Sequence, residues 1–356
     1  MRGGPPVTAS AAAEGAAADG AGRRGRRAGR KGGGAKLVVP AADFRSYYGR
    51  PVVKETVWGP DIPSYLFLGG LAGASSVLAA GADLTGHSEL ARATKGAAAG
   101  AISLSMVALV HDLGRPQRFI NMLRVIKVTS PMSVGTWILS GYTPLALTAA
   151  ACAATRKLRW AGLAATLGAA ALGPAVAAYT SVLISDTAAP AWHGGYREMP
   201  FLFVGSAATA AAGFGMLAVR PEHARQAASL AILGGVGELT AKRLLVRRLG
   251  TEAEPYESGR AGTLMRGAEG LLWAGLAGTV LGSTVLGGTV LGSRSRVVAR
   301  LAGGALLAAS ALTRFGVFEA GRASARDPKY TVRPQRERAE ARESAAPAHH
   351  QAATQA

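Results

Sequence analysis

The chain has one cysteine, Cys152, among 356 residues. This excludes an internal disulfide, a four-thiolate iron–sulfur cluster and a Cys-x-x-Cys-His haem attachment within it. Its neighbours are alanines in an apolar run, which reads as inert packing. Histidine is also sparse, with residues at 87, 111, 193, 223, 349 and 350, and only His111 falls clearly inside an apolar run. Haem ligation of the cytochrome b type, which commonly takes two helical histidines, has little to work with. Charged residues make up 17% of the chain, against about a quarter in soluble domains. Acidic residues are scarcer still, 21 against 40 Lys and Arg, for a formal charge of +19. Such a balance could suit nucleic acid. The basic residues, however, sit in tails and between apolar runs, where anionic lipid head groups favour them. The expected partner is therefore a membrane, not nucleic acid.

Alanine, glycine and long apolar runs fill the rest. Residues 1–40 are Ala, Gly and Arg with almost no large apolar side chains, and they cannot bury enough surface to offset their ordering entropy. They read as a disordered basic tail. RRGRRAGRK at 23–31 lacks the following apolar run of a secretory signal. A juxtamembrane segment, 41–61, leads into eight apolar stretches at 62–81, 93–112, 133–153, 160–184, 199–219, 224–241, 267–292 and 299–320. Each is about twenty residues, enough to cross a hydrocarbon core of roughly 30 Å as a helix. The sixth is weakest, since Glu238 interrupts it and Lys242-Arg243 end it. Residues 321–356 form a polar C-terminal tail. The fold class is all-α integral membrane protein. Gly69/Gly73, Gly96/Gly100 and Gly278/Gly282 have the four-residue spacing that lets helix backbones approach within lipid. LGSTVLGGTVLGS at 281–293 repeats nearly every five residues, which is not a helical period. Lys and Arg are denser at the termini and the even-numbered junctions, which places both ends in the cytoplasm.

The second run ends in HDLGRPQRFINML, residues 111–123. Gly114 suits a left-handed helix end, Pro116 prevents continuation, and Arg115 and Arg118 complement the negative end of the helix. His111 and Asp112 are left over, because an aspartate there opposes the helix dipole. Acidic groups near membrane depth are costly and are usually paired or functional. An Asp112–Arg115 pair beside His111, which exchanges protons near neutral pH, would make a proton-handling site. In SPMSVGTW, 130–137, Ser130 can cap a helix, Pro131 suits its first turn and Trp137 suits an interface or core.

The order of motifs resembles the NrfD family, the membrane subunits of polysulfide-reductase-like molybdoenzymes. The matching stretches are PDIPSYLFLGGLAG at 60–73, HDLGRPQRFINML and SPMSVGTW. Looser matches are YTSVLISDTAAPAWH at 179–193 and FGVFEAG…DPKYTV at 315–332. The resemblance implies eight transmembrane helices arranged as two four-helix bundles, with no redox cofactor or metal held by this chain. The first bundle would span 62–184, and the second, with its preceding loop, 185–320. It implies a multi-pass subunit of the bacterial plasma membrane, anchoring a ferredoxin-like iron–sulfur subunit and a molybdopterin catalytic subunit. Menaquinone or ubiquinone would be an exchangeable substrate. The residues matching the family's quinone pocket are Tyr65, His111, Asp112 and Tyr179, with Arg115 and Trp137 as further candidates. Tyr65 as an interfacial anchor is the plain alternative. Arg118, Asn121, Asp186 and His193 would face the partner.

Glu238, Arg314 and Glu319 are ionisable groups in or near the later runs. They read as a proton route or as a structural ion pair. The five-residue step from Arg314 to Glu319 is poor for pairing within a helix, so Arg314 would pair across helices, with Glu238 the leading partner. A secondary transporter or proton-conducting protein is the competing function, although no matched pair of interrupted helices is visible.

Overall fold

A computed structural model describes residues 52–115, 117–285 and 292–345. The basic tail, residues 286–291 of the pentad-like repeat and the end of the C-terminal tail lie outside the described residues. Eight long helices follow in order: α1 Asp61–Leu84, α2 Ser88–Asp112, α3 Pro131–Thr155, α4 Arg159–Ser185, α5 Met199–Ala218, α6 Arg225–Leu249, α7 Gly259–Val285 and α8 Gly292–Arg326. A ninth, α9 Lys329–Ala345, makes the polar C-terminal segment helical. Among the described residues there is no strand. A chain of this composition can satisfy its backbone within lipid only by helices or a closed barrel, and its Ala/Leu content favours helices.

Six of the eight, α1 to α5 and the Arg296–Arg326 part of α8, are long and apolar enough to cross a membrane. The other two, α6 and α7, have no stretch among the described residues that is both apolar enough and poor enough in charge. α6 continues eight residues past the expected end through Lys242, Arg243, Arg247 and Arg248, and α7 begins eight residues earlier than expected with Arg260 and Arg266 in its first turns. α6 extends because Ala241, Leu245 and Leu249 keep one face apolar and buried while the basic side chains line the other.

α1 packs on α2 and α4, and α3 closes against α2 and α4. In the same manner α5 packs on α6 and α8, while α7 closes against α6 and α8; α1 and α4 also meet α5. Glycines bring backbone directly onto backbone at the α1–α4, α5–α6 and α5–α8 crossings. A Cβ added at Gly73 of α1 would strike the Gly173 carbonyl of α4, and one at Gly213 of α5 would strike that of Gly303 of α8. Of the glycines paired by spacing, Gly73 makes such an approach, Gly278 abuts the Ala302 side chain and Gly69 leaves room for ordinary contacts, whereas Gly96, Gly100 and Gly282 have nothing near them. Spacing alone does not say which face of a helix meets a neighbour.

The helix ends fall on two sides. On one, Thr85–His87, Arg156–Leu158 and the 219–224 segment make short turns, with Arg156 and Leu158 in left-handed conformations. On the other lie the longer 113–130, 186–198 and 250–258 connections and the segment entering α1. Core composition differs along this axis. The cluster containing Tyr65, Tyr142, Tyr179, Trp192, Phe203, Tyr256 and Phe318 lies toward the long-connection side. The cluster of Leu78, Leu90, Met216, Leu272 and Leu306 has no aromatic member. Thus the bulky side chains gather where the motifs are.

Candidate functional site

Gly114 adopts φ +66° and its amide bonds to the His111 carbonyl, so α2 stops where the Gly-Arg-Pro pattern says it should. This leaves His111 and Asp112 in its last turn. The partner of His111 is Asp61, the first residue of α1, with Nδ1 to Oδ2 at 2.9 Å. The expected Asp112–Arg115 pair does not form: Arg115 is exposed, and no carboxylate of the described residues lies within ion-pair distance of it. Past Gly114 the chain turns away from the helix axis and carries Arg115 outward. Asp112 instead accepts the Gly59 backbone amide and lies within electrostatic range of both Asp61 and His111. Three titratable groups therefore meet where the start of α1 crosses the end of α2. With Nδ1 turned to a carboxylate, Nε2 is the nitrogen His111 presents to anything that arrives.

His111 is 77% exposed at its side chain. It stands at the rim of an outward-opening groove of about 470 Å³ lined by Met106, Val107, Val110 and Gly114. Tyr65 lies one turn along α1 from Asp61 and is only 2% exposed, which rules out a plain interfacial anchor. Its carbonyl accepts the Ser105 hydroxyl of α2, tying the two helices beside the titratable group.

Tyr179 and Trp137 are not among the residues that line this groove. Tyr179 is buried, and its ring presses on Gly135 so closely that no Cβ would fit there. Its hydroxyl has no protein partner. Trp137 is 40% exposed and donates through Nε1 to the Val125 carbonyl at 3.4 Å. Ser133 accepts the Lys127 amide and donates to the same carbonyl. SPMSVGTW is thus a clamp: Gly135 admits Tyr179, while Ser133 and Trp137 hold the exposed loop containing Val125, Ile126 and Val128. Ser130 stands at the N-cap position of α3 without a side-chain cap bond, contrary to the expectation for it.

The 186–198 connection is more than a solvated loop. Trp192 is wholly buried, stacks on Trp58 at 6.0 Å, meets Phe318 at 5.7 Å and donates to the Val317 carbonyl at 2.7 Å. Gly321 is the only residue type that leaves room for its indole. Tyr256 donates to the Ala191 carbonyl, and Arg248 holds both the Glu198 carboxylate and the Gly194 carbonyl. The Arg248 guanidinium holds the Glu198 carboxyl below the ordinary glutamate range, against a smaller opposing effect of burial. Asp186, His193 and Asn121 are exposed on this side, with His193 Nδ1 at 3.1 Å from the Ser185 carbonyl. The side chain of Arg118 lies outside the described residues.

Glu319 does not join Arg314. It pairs weakly with Arg322 at 3.8 Å, next to a cluster in which Arg326 and Arg322 hold Glu55 at 2.6 and 3.0 Å. These arginines, Arg326 first, hold the Glu55 carboxyl below its ordinary range. Arg314 is buried in the later helices. It donates to the Phe203 carbonyl at 2.6 Å and lies 3.8 Å over the Phe203 ring, while Nε and Nη1 find no protein partner. Glu238 is buried near it and accepts the hydroxyls of Thr313 at 2.7 Å and Thr209 at 3.2 Å. Arg314 and Glu238 attract one another without direct contact. The expected cross-helix pair is therefore a hydroxyl-lined charge pocket and not a salt bridge.

Sequence reasoning missed Asp61, Ser133 and Trp192, although all three stand inside the quoted motifs. The available signals were the helix-start aspartate of PDIPSY and the Pro190 that begins the turn carrying Trp192. Among the described residues, no three His, Cys, Asp or Glu side chains group so as to hold a metal ion. A family model described as polysulphide reductase, NrfD, matches residues 52–321. No curated protein matches the chain.

Proposed function

Since the chain belongs to the NrfD polysulphide reductase family, we propose that it is the quinone-reactive membrane anchor of a multi-subunit oxidoreductase. In this reading all eight long helices cross the bacterial plasma membrane as two four-helix bundles, α1–α4 and α5–α8. Both termini face the cytoplasm. The chain holds no redox cofactor of its own. Electrons pass between the cluster of a ferredoxin-like iron–sulfur subunit and menaquinone or ubiquinone, and a molybdopterin subunit carries out the substrate chemistry. The partner docks on the long-connection side, over Arg118, Asn121, Asp186 and His193.

The observation that carries this reading is the His111–Asp61 contact at the rim of an apolar groove. Reducing a quinone takes two electrons from the partner and two protons from solvent. A ring seated in the groove would meet Nε2 of His111 as hydrogen-bond donor. From its imidazolium form His111 would give the Nε2 proton to the reduced ring, Asp61 would hold the remaining Nδ1–H, and Asp112 would return a proton from the surface. Tyr65 and Tyr179 would shape the wall behind the groove, and Arg115 would orient water at its mouth by donating hydrogen bonds.

The test uses the assembled complex. His111→Ala or Asp112→Asn is expected to lower electron transfer between quinone and the soluble partner by roughly a hundredfold, with all subunits still co-purifying. Wild-type rates in both variants would remove the site.

The buried Glu238 among hydroxyls supports a second reading, proton conduction through α5–α8. The chain alone in vesicles would then dissipate an imposed pH gradient, and Glu238→Gln would stop it. A gradient that holds equally with both proteins would dismiss that reading.

A further inference from the structure

At the short-turn side, the ends of α2, α3 and α4 enclose a cleft of about 770 Å³ that the proposed redox site does not use. It lies at the opposite end of α2 from His111, roughly 35 Å away by the helical rise. Arg92, Lys95, Arg156 and Arg159 line it. Asp83 neutralises Lys95 at 2.6 Å. The three arginines are exposed, and among the described residues none has a carboxylate within ion-pair distance. Three guanidiniums held together without counter-charge repel one another, and an anion between them relieves that repulsion. Ser88 and Arg159, the first residues of α2 and α4, open onto the same cleft, and neither helix has a side-chain cap. The positive ends of the two helix dipoles add to the potential.

We propose that this cleft binds a phosphate group, and that the group belongs to the head of an anionic membrane phospholipid. The apolar surroundings favour a lipid over free phosphate. Trp160, 84% exposed at the rim, suits the membrane–water boundary. Two turns deeper, Leu147 of α3 and Leu167 of α4 are 44% and 41% exposed along the outer seam, where acyl chains would lie. Basic pockets between membrane helices take phospholipid head groups in this manner.

Cys152 lines the cleft and is the only cysteine of the chain, so its alkylation reports occupancy without engineering. The full-length protein is placed in phosphatidylcholine vesicles with or without phosphatidylglycerol, and the rate of reaction with neutral N-ethylmaleimide is followed. Phosphatidylglycerol is expected to slow wild-type alkylation at least fivefold. In Arg156→Gln/Arg159→Gln the affinity falls roughly twenty-five-fold, about fivefold for each arginine, and the protection disappears. Arg156→Lys/Arg159→Lys is expected to keep it, which separates loss of charge from misfolding. Equal slowing in wild type and the Gln variant would reduce the effect to surface potential and overturn the site. No slowing in wild type would also overturn it. Millimolar inorganic phosphate in phosphatidylcholine vesicles is expected not to protect, and full protection there would overturn the lipid assignment.

Discussion

An arginine enclosed by helices must find compensation for its lost hydration, and Arg314 finds it in pieces. The Phe203 carbonyl takes one nitrogen, the Phe203 ring lies beneath the plane, and Glu238 supplies the opposite charge nearby. Removing one charge leaves the other stranded, at a cost of about 3–5 kcal/mol. Arg314→Met is therefore expected to destabilise the protein by that amount, and adding Glu238→Gln should recover most of it. Thermal unfolding in detergent measures both, and additive losses would show that the two side chains act independently. Gly135 gives a steric counterpart. A methyl group there enters the space of the Tyr179 ring, so Gly135→Ala is expected to cost about 1–3 kcal/mol. At this scale the sequence displayed the residue types but not their partners. Arg314 and Glu238 stood out as charges in apolar runs, yet the hydroxyls of Thr209 and Thr313 that satisfy the carboxylate belong to other helices. Likewise Asp112–Arg115 looked natural because the two are three positions apart, while Asp61, fifty positions away, holds His111.

Among the elements, the SPMSVGTW segment reaches backward to fix the loop before it. Trp137→Phe deletes the bond to the Val125 carbonyl and is expected to speed amide exchange across 124–128 while leaving quinone-linked turnover near wild type. A collapse of turnover with unchanged exchange would return Trp137 to the quinone pocket. The Glu198–Arg248 and Glu55–Arg326 contacts tie connections to helices α6 and α8. Both carboxyls are held below their ordinary range, so the unfolded chain binds more protons than the folded one in acid. Their stabilisation is complete above the ordinary glutamate value of 4.5 and fades as pH falls through the lower folded values. Unfolding temperature should fall more steeply with acid in wild type than in Glu198→Gln/Glu55→Gln, and parallel curves would show these contacts to be energetically silent. Helix positions were readable from apolar length because the backbone has no other outlet in lipid. The boundaries of α6 and α7 were not, since their charged turns remain helical through packing on one face only.

For the whole molecule, the placement of connections makes a topological statement. Single cysteines introduced into a Cys152→Ser background at 113–130, 186–198 or 250–258 should react from one side of the membrane. Those at 85–87, 156–158 or 219–224 should react from the other. An impermeant maleimide on right-side-out and inverted vesicles checks this, and labelling of both groups from the same side would break the eight-span reading. The density of Lys and Arg suggested the alternation, but the contrast between turns of three to six residues and long ordered connections emerges only from the fold. Trp192, buried through a connection that composition would call solvent-exposed, shows why: long-range aromatic stacking leaves no periodic trace in a sequence.

The short turns carry one more consequence. Because α1 with α2, α3 with α4 and α5 with α6 are each closed by a tight bend on the same side, each pair is a hairpin whose two legs lie adjacent in the chain. A ribosome delivers such hairpins one after another. Each can leave the insertion machinery already paired, without waiting for residues not yet synthesised.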